Sequence, residues 1–201
     1  MSKSLVILSL IFVINMPLAM ANDDQIKLLL ARPFLKAEFS KVRKLKIMSR
    51  PFITSGKVLF LPERGLVWET VQPVRDVLFI SADGVGYLDK ETNKRVKIDN
   101  PVVISASNVF MSIISLDLNK IKEIFEIKVM APVKGVQRYV LVPKENNLKK
   151  AIKEIEIKGR VRVEEILITE NGGDSTSVIF KNEKFTKNAF SLDEQFLLEM
   201  L

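Results

Sequence analysis

The sequence predicts a mainly β member of the α+β class: a large antiparallel sheet with a few helices packed on one side. Three observations predict it. Short segments rich in Val, Ile, Leu and Phe, several of them alternating with polar residues, fill most of the chain after residue 34, with turn residues between them. One central stretch, 101–116, switches to the three- and four-residue apolar spacing of a helix. Neither G-x-G-x-x-G nor a Walker pattern occurs, so a doubly wound nucleotide-binding fold has no motif behind it.

The first segment, MSKSLVILSLIFVINMPLAMA, has the parts of a signal peptide. Lys3 supplies a short positive region, residues 5–15 are almost uninterrupted Leu, Ile, Val and Phe, and Pro17 breaks the run. Ala19-Met20-Ala21 then gives the small-x-small pattern of a cleavage site. The apolar run is shorter than the ~20 residues a membrane span needs. We therefore expect cleavage after Ala21, leaving 22–201 as a single exported domain in the periplasm of a Gram-negative bacterium. No Cys follows the cleavage site, so N-terminal lipidation is not expected.

Asp23 and Asp24, followed by Ile26 and Leu28-Leu29-Leu30 and stopped by Pro33, suggest a short N-terminal helix. Strands are expected over 34–47, 55–60, 66–71, 74–81, 85–88 and 94–98. Pro51, Pro62-Glu63-Arg64-Gly65, Gln72-Pro73, Ala82-Asp83-Gly84 and Thr92-Asn93 mark the turns. Within one strand Leu66, Trp68 and Thr70 share a face; in 95–98 basic and apolar residues alternate strictly. The helix over 101–116 carries Ile104, Val109, Phe110, Ile113, Ile114 and Leu116, and Asp117 is placed to cap a second helix bearing Ile121 and Ile124. Strands return over 126–131, 137–143, 148–158, 161–170 and 177–185. Residues 148–158 read as strand because Gly159 turns directly into Val161-Arg162-Val163, although their composition favours helix. Asn171-Gly172-Gly173-Asp174 is a strong turn, and Ser191 starts a C-terminal helix or tail.

Composition narrows the chemistry. The 201 residues are 47% hydrophobic and contain no Cys and no His. That removes disulfides, thiol nucleophiles, the commonest metal ligands and every Ser-His-Asp arrangement. Ser105, Ser107, Ser112 and Ser115 on the expected helix are read as close-packing residues, since only Lys could activate them. No enzyme, no cofactor and no metal site is expected. The net charge of +7 points, in an exported protein, to anionic lipid or acidic partner proteins, with no nucleic acid as partner. Lys41, Arg43, Lys44 and Lys46 form the densest basic run; a solvated face and a docking site for an acidic partner are its two readings.

Residues 50–84, RPFITSGKVLFLPERGLVWETVQPVRDVLFISADG, resemble the outer-membrane lipoprotein carrier family, the LolA-like periplasmic carriers. The matching elements run in order: Phe39 among polar neighbours, Ser55-Gly56-Lys57, the Pro-x-x-Gly-Leu-x-Trp turn at 62–68, Pro73 and Asp83-Gly84. The stretch 112–129 resembles the family's central helix, the short helix after it and the returning strand. The resemblance implies a half-open antiparallel β-barrel with helices as a lid over an apolar cavity, working as a monomer. It implies acyl chains of lipoproteins or envelope lipids as cargo, an inner-membrane exporter as donor and an outer-membrane acceptor. Leu66 and Trp68 fall where the family places a cavity-facing pair. Family carriers place an Arg just before the Pro of the turn as a lid latch; here Arg64 follows Pro62 by two positions and is the candidate latch. That departure leaves lipoproteins and other envelope lipids both open as cargo.

The expected lining is Phe39, Val58, Phe60, Leu66, Trp68, Val77, Phe79 and Tyr87 from strands, with Phe110, Met111, Ile113 and Ile114 from the lid. The alternative for any of these is an ordinary closed core, because apolar strand faces more often pack than line a void. A regulatory sensor of lipid or envelope stress, built on the same barrel, is the second functional reading.

Overall fold

The computed structural model describes residues 35–115, 117–160 and 162–201. The signal segment, the N-terminal helix expected before Pro33, Phe34, Leu116 and Val161 lie outside the described residues.

Eleven strands form one antiparallel, unclosed sheet: β1 (Lys36–Lys44), β2 (Phe52–Leu61), β3 (Gly65–Gln72), β4 (Asp76–Ser81), β5 (Gly84–Leu88), β6 (Arg95–Lys97), β7 (Phe125–Val133), β8 (Val136–Pro143), β9 (Ile152–Gly159), β10 (Val163–Glu170) and β11 (Ser175–Lys184). Their order across the sheet is β6-β5-β4-β3-β2-β1-β11-β10-β9-β8-β7. Each half is thus a simple meander, and the two halves meet where β1 pairs with β11, from Lys36↔Lys184 to Lys44↔Ser175. Two helices, α1 (Pro101–Ser115) and α2 (Leu118–Ile124), connect the two edge strands β6 and β7. A third helix, α3 (Asn146–Ala151), precedes β9, and a fourth, α4 (Leu192–Glu199), follows β11.

The elements form where the sequence places them. Asp117 caps α2 by accepting from the Lys120 backbone N–H at 3.2 Å. Residues 148–151, expected as strand, instead complete the turn of α3, and the strand begins at Ile152. Leu148 to Ala151 are good helix formers, whereas from Ile152 onward the β-branched residues pair with β10.

The two faces of the sheet carry separate cores. On the lid face Ala37, Phe39, Val58, Phe60, Leu66, Ile80 and Val85 of the first half join Tyr139, Leu141, Ile155, Ile157, Ile166, Val178 and Phe180 of the second, with Val109, Ile113, Ile114 and Ile121 of α1 and α2 against them. The outer face of the first half is also apolar: Leu59, Val67, Val77 and Phe79 pack under Phe190, Leu197 and Leu198. Helices expected on one side therefore occupy both, because β2, β3 and β4 are apolar on both faces and each face needs a cover. The outer face of the second half is polar instead. There Glu156 pairs with Arg138 and Lys158, and Lys158 reaches Glu165 at 3.3 Å.

Helix α4 is held by a charge as well as by its apolar side. Ser191 and Glu194 form a reciprocal capping box. Glu194, 2% exposed, accepts from Lys36 Nζ at 2.7 Å and from Lys57 Nζ at 3.3 Å. Arg95 secures the far end by donating to the carbonyls of Met200 and Leu201 at 3.0 and 3.1 Å while lying over the Phe79 ring. Burial acts to raise the Glu194 pKa, but the hydrogen bonds from Lys36 and the Ser191 backbone, with the charge of Lys36, outweigh it and leave the net shift downward. Its carboxylate thus ionises more easily folded than unfolded, so its stabilisation is present above the ordinary glutamate range and lost as pH falls through the lowered value. Glu194→Gln should lower stability at pH 7 by about 1–3 kcal/mol, less than for a deeply buried pair because both lysines reach water. Urea unfolding checks this, and the gap between variant and wild type should close as the pH drops below about 4.

Candidate functional site

A row of three aromatic rings marks the centre of the lid face. Phe39 on β1 and Trp68 on β3 stack with centroids 3.9 Å apart and planes at 29°. Phe110 of α1 meets the Trp68 ring edge-on at 5.2 Å and 79°. Strands β1 and β3 flank β2, so the backbones of Phe39 and Trp68 are roughly 10 Å apart. The residue opposite Phe39 on β2 is Gly56, on the same face as Val58. The absence of a side chain there lets the backbone of β3 pass close beside it. A Cβ on Gly56 would lie 1.9 Å from the Glu69 carbonyl oxygen, where the β2–β3 register slips by one residue.

From these rings the apolar surface continues to a cleft of about 810 Å³ between the β2–β3 and β4–β5 turns and the ends of α1 and α2. Its floor is Phe60, Ile80, Met111 and Ile124, and its rim carries Glu63, Arg64, Asp117, Lys120 and Glu123. The rim can bind polar groups while the floor takes hydrocarbon. Two serines on its wall have their hydroxyls engaged within α1: Ser112 donates to the Asn108 carbonyl at 2.7 Å and Ser115 to the Ser112 carbonyl at 3.4 Å. Among the described residues no group of three or more His, Cys, Asp and Glu is placed to hold a metal ion.

Nine of the expected lining residues share this face. Phe39, Val58, Phe60, Leu66, Trp68, Phe110, Met111, Ile113 and Ile114 belong to one packed cluster, and Phe60 and Met111 also border the cleft. Val77 and Phe79 do not; they lie in the outer-face core under α4. The register explains it. Leu66 and Trp68 stand opposite Ile80 and Leu78, whereas Val67 and Glu69 stand opposite Phe79 and Val77. Residues directly opposite share a face, so Leu78 and Ile80 are the lid-side residues of β4. Tyr87, opposite Leu78, is on the lid side but 38% exposed, at the margin of the packed region. Arg64 donates to the Glu199 carbonyl at 3.2 Å, which ties the β2–β3 turn to α4 on the outer face and not to the lid.

The contribution of the second half-sheet was absent from the expected lining. Tyr139, Leu141, Ile155 and Ile157 belong to the same lid-side cluster. The alternation in Glu154-Ile155-Glu156-Ile157-Lys158 is the signal that marks it. At the margin of that surface Lys41 is half-buried; burial, with Arg43 beside it, pulls its pKa down, and Asp76 opposes the shift.

An unclosed antiparallel sheet with a helical lid strung between its edges defines a lidded half-barrel. The sequence matches the family described as Outer membrane lipoprotein carrier protein LolA over residues 34–196, most of the chain, and the protein belongs to that family. Among solved structures it is similar to the LolA superfamily protein NE2245 from Nitrosomonas europaea, with 6% identity, TM-score 0.47, and coverage of 84% of this chain and 96% of that one. It is also similar to the Pseudomonas aeruginosa MucA/MucB complex structure, with 8% identity and TM-score 0.46, covering 85% of this chain and 58% of that one. LprF from Mycobacterium bovis is similar at 12% identity and TM-score 0.40, over 82% of this chain and 91% of that one. No curated protein matches the chain.

The tightness at Gly56 makes a prediction. Gly56→Ala should destabilise the fold by about 1–3 kcal/mol or more, because backbone must move to admit the methyl group. The near-ultraviolet circular dichroism of Trp68, paired with Val58 two residues along β2, should weaken with it, and an unchanged spectrum would show that the backbone shift does not reach the ring stack.

Proposed function

We propose that this protein is a periplasmic carrier that takes acyl chains of lipoproteins or other envelope lipids between sheet and lid and moves them toward the outer membrane. Its donors would be an inner-membrane exporter and its recipient an outer-membrane acceptor. The observation that carries this reading is the apolar seam between α1 and the sheet, from the Phe39-Trp68-Phe110 rings to the open cleft at Phe60 and Met111. Membership of a family described as a lipoprotein carrier supports it. No helix among the described residues is long and apolar enough to cross a membrane.

The physics suits a carrier. Each buried methylene gains ~0.8 kcal/mol, so a long acyl chain in the seam gains on the order of 10 kcal/mol before ordering costs. The lid is held to the sheet around Trp68 by apolar and ring contacts, which an acyl chain can replace one for one.

Quenching of Trp68 tests the reading. It is the only Trp, so its emission reports the seam alone. A fatty acid brominated along its chain should quench that emission on binding, and the unbrominated acid should not. Should native mass spectrometry show the brominated acid bound while Trp68 stays unquenched, the seam is not where acyl chains go.

A further inference from the structure

The strand ends opposite the cleft carry an exposed apolar and basic surface that the carrier role does not use. In the antiparallel first half-sheet the β2–β3 and β4–β5 turns border the cleft, so the β1–β2 and β3–β4 turns stand at the other end. There Ile47 is 92% exposed, Val74 65%, Ile53 60% and Phe52 52%. Four large apolar side chains exposed to this degree at one end of the sheet mark that end as an interaction surface.

The β1–β2 hairpin among them is basic. Lys44, Lys46 and Arg50 are exposed on the same hairpin, and residues 41–53 contain no acidic residue. The β10–β11 turn lies beside it, because the Lys46 backbone N–H donates to Asp174 Oδ1 at 2.9 Å. That turn in turn holds α3, through the Asn171 N–H on the Ala151 carbonyl at 3.1 Å, and brings Lys149 and Lys150 to the same end. Of the carboxylates at this end, Asp174 is engaged by that backbone, Glu170 lies beside Arg43 at 3.6 Å and Glu69 beside Arg75 at 2.9 Å, and exposed Asp76 acts on the charge of Lys41.

We propose that this end docks on an anionic phospholipid surface, with Ile47 and its apolar neighbours inserted at the headgroup level and Lys44, Lys46, Arg50, Lys149 and Lys150 over the phosphates. An acidic protein would satisfy the cations but would leave Ile47 and Val74 without hydrocarbon to enter; a bilayer interface satisfies both. In this pose the cleft faces away from the membrane, so docking and acyl uptake occupy separate ends of the sheet.

The protein in the form the cell exports would be sedimented with phosphatidylcholine vesicles containing about a third phosphatidylglycerol, and with pure phosphatidylcholine vesicles. We expect binding to the first only, weakened by salt. Ile47→Asp should reduce it about tenfold or more, and Lys44→Gln/Lys46→Gln about tenfold or more, since each cation near such a surface contributes roughly fivefold. Both positions are exposed, so unchanged melting temperatures will show that folding is intact. Met111→Gln, in the cleft, should leave vesicle binding unaltered, and Ile47→Asp should leave quenching of Trp68 by the brominated acid unaltered. Equal binding to both vesicle types, undiminished binding of Ile47→Asp, or capture by an acidic protein without vesicle binding would each overturn the proposal. Loss of vesicle binding in Met111→Gln would also overturn it, because the vesicle would then be held through the acyl seam.

Discussion

The pairing of the first and last strands of the sheet is the constraint on which the rest depends. With β1 and β11 joined at the centre, the two meanders run outward and leave β6 and β7 as free edges at opposite flanks. The chain must travel from one edge to the other, and the segment that does so contains α1 and α2. An apolar helix on that path is buried only if it crosses the apolar face of a sheet that curls around it. The lid is thus a topological consequence of where the chain begins and ends its sheet. It is anchored at both edges, and between them apolar side chains pack it on the sheet.

Asymmetry between the half-sheets follows from the same arrangement. The second half alternates Ile with Glu and Lys along β9 and needs a cover on one face only. The first half is apolar on both faces, and α4 covers its outer side. Glu194 then sits under that helix between Lys36 and Lys57, where strands β1 and β2 present their outward cations. The capping residue of a short helix therefore doubles as its electrostatic anchor to the sheet.

Much of this was legible in the sequence, and the failures have identifiable physics. Turn residues punctuate the strands, and a polar alternation reports a one-sided face, so the sheet and the central helix were readable. Asp117 announced its cap for the same reason: a short acceptor before an apolar repeat has few other uses. Val77 to Ile80 are apolar at every position, so period two carries no sign there, and only the register against Leu66 and Trp68 assigns Leu78 and Ile80 to the lid. Val77 and Phe79 were misplaced by that ambiguity. Arg64 was misassigned because a local motif does not tell which helix lies above its turn, and α4 on the outer face was the helix within reach. Gly56 was visible as a residue, yet its work, admitting the β3 backbone where the register shifts, depends on pairing that no single strand encodes.

The filled seam is compatible with carrying. Phe110, Ile113 and Ile114 each gain about 1.5–3 kcal/mol from burial against the sheet, which together approaches the gain of a long acyl chain. Uptake of cargo would therefore exchange one apolar partner for another and draw on only the difference. A permanently open cavity would hold cargo with the whole of that burial energy and release it poorly. In the proposed carrier, a closed seam with an open cleft at its end would keep loading and unloading within a few kcal/mol of balance. In the proposed carrier role, control would lie with a partner that shifts the lid, and the polar rim of Glu63, Asp117, Lys120 and Glu123 is the part of the cleft such a partner would reach.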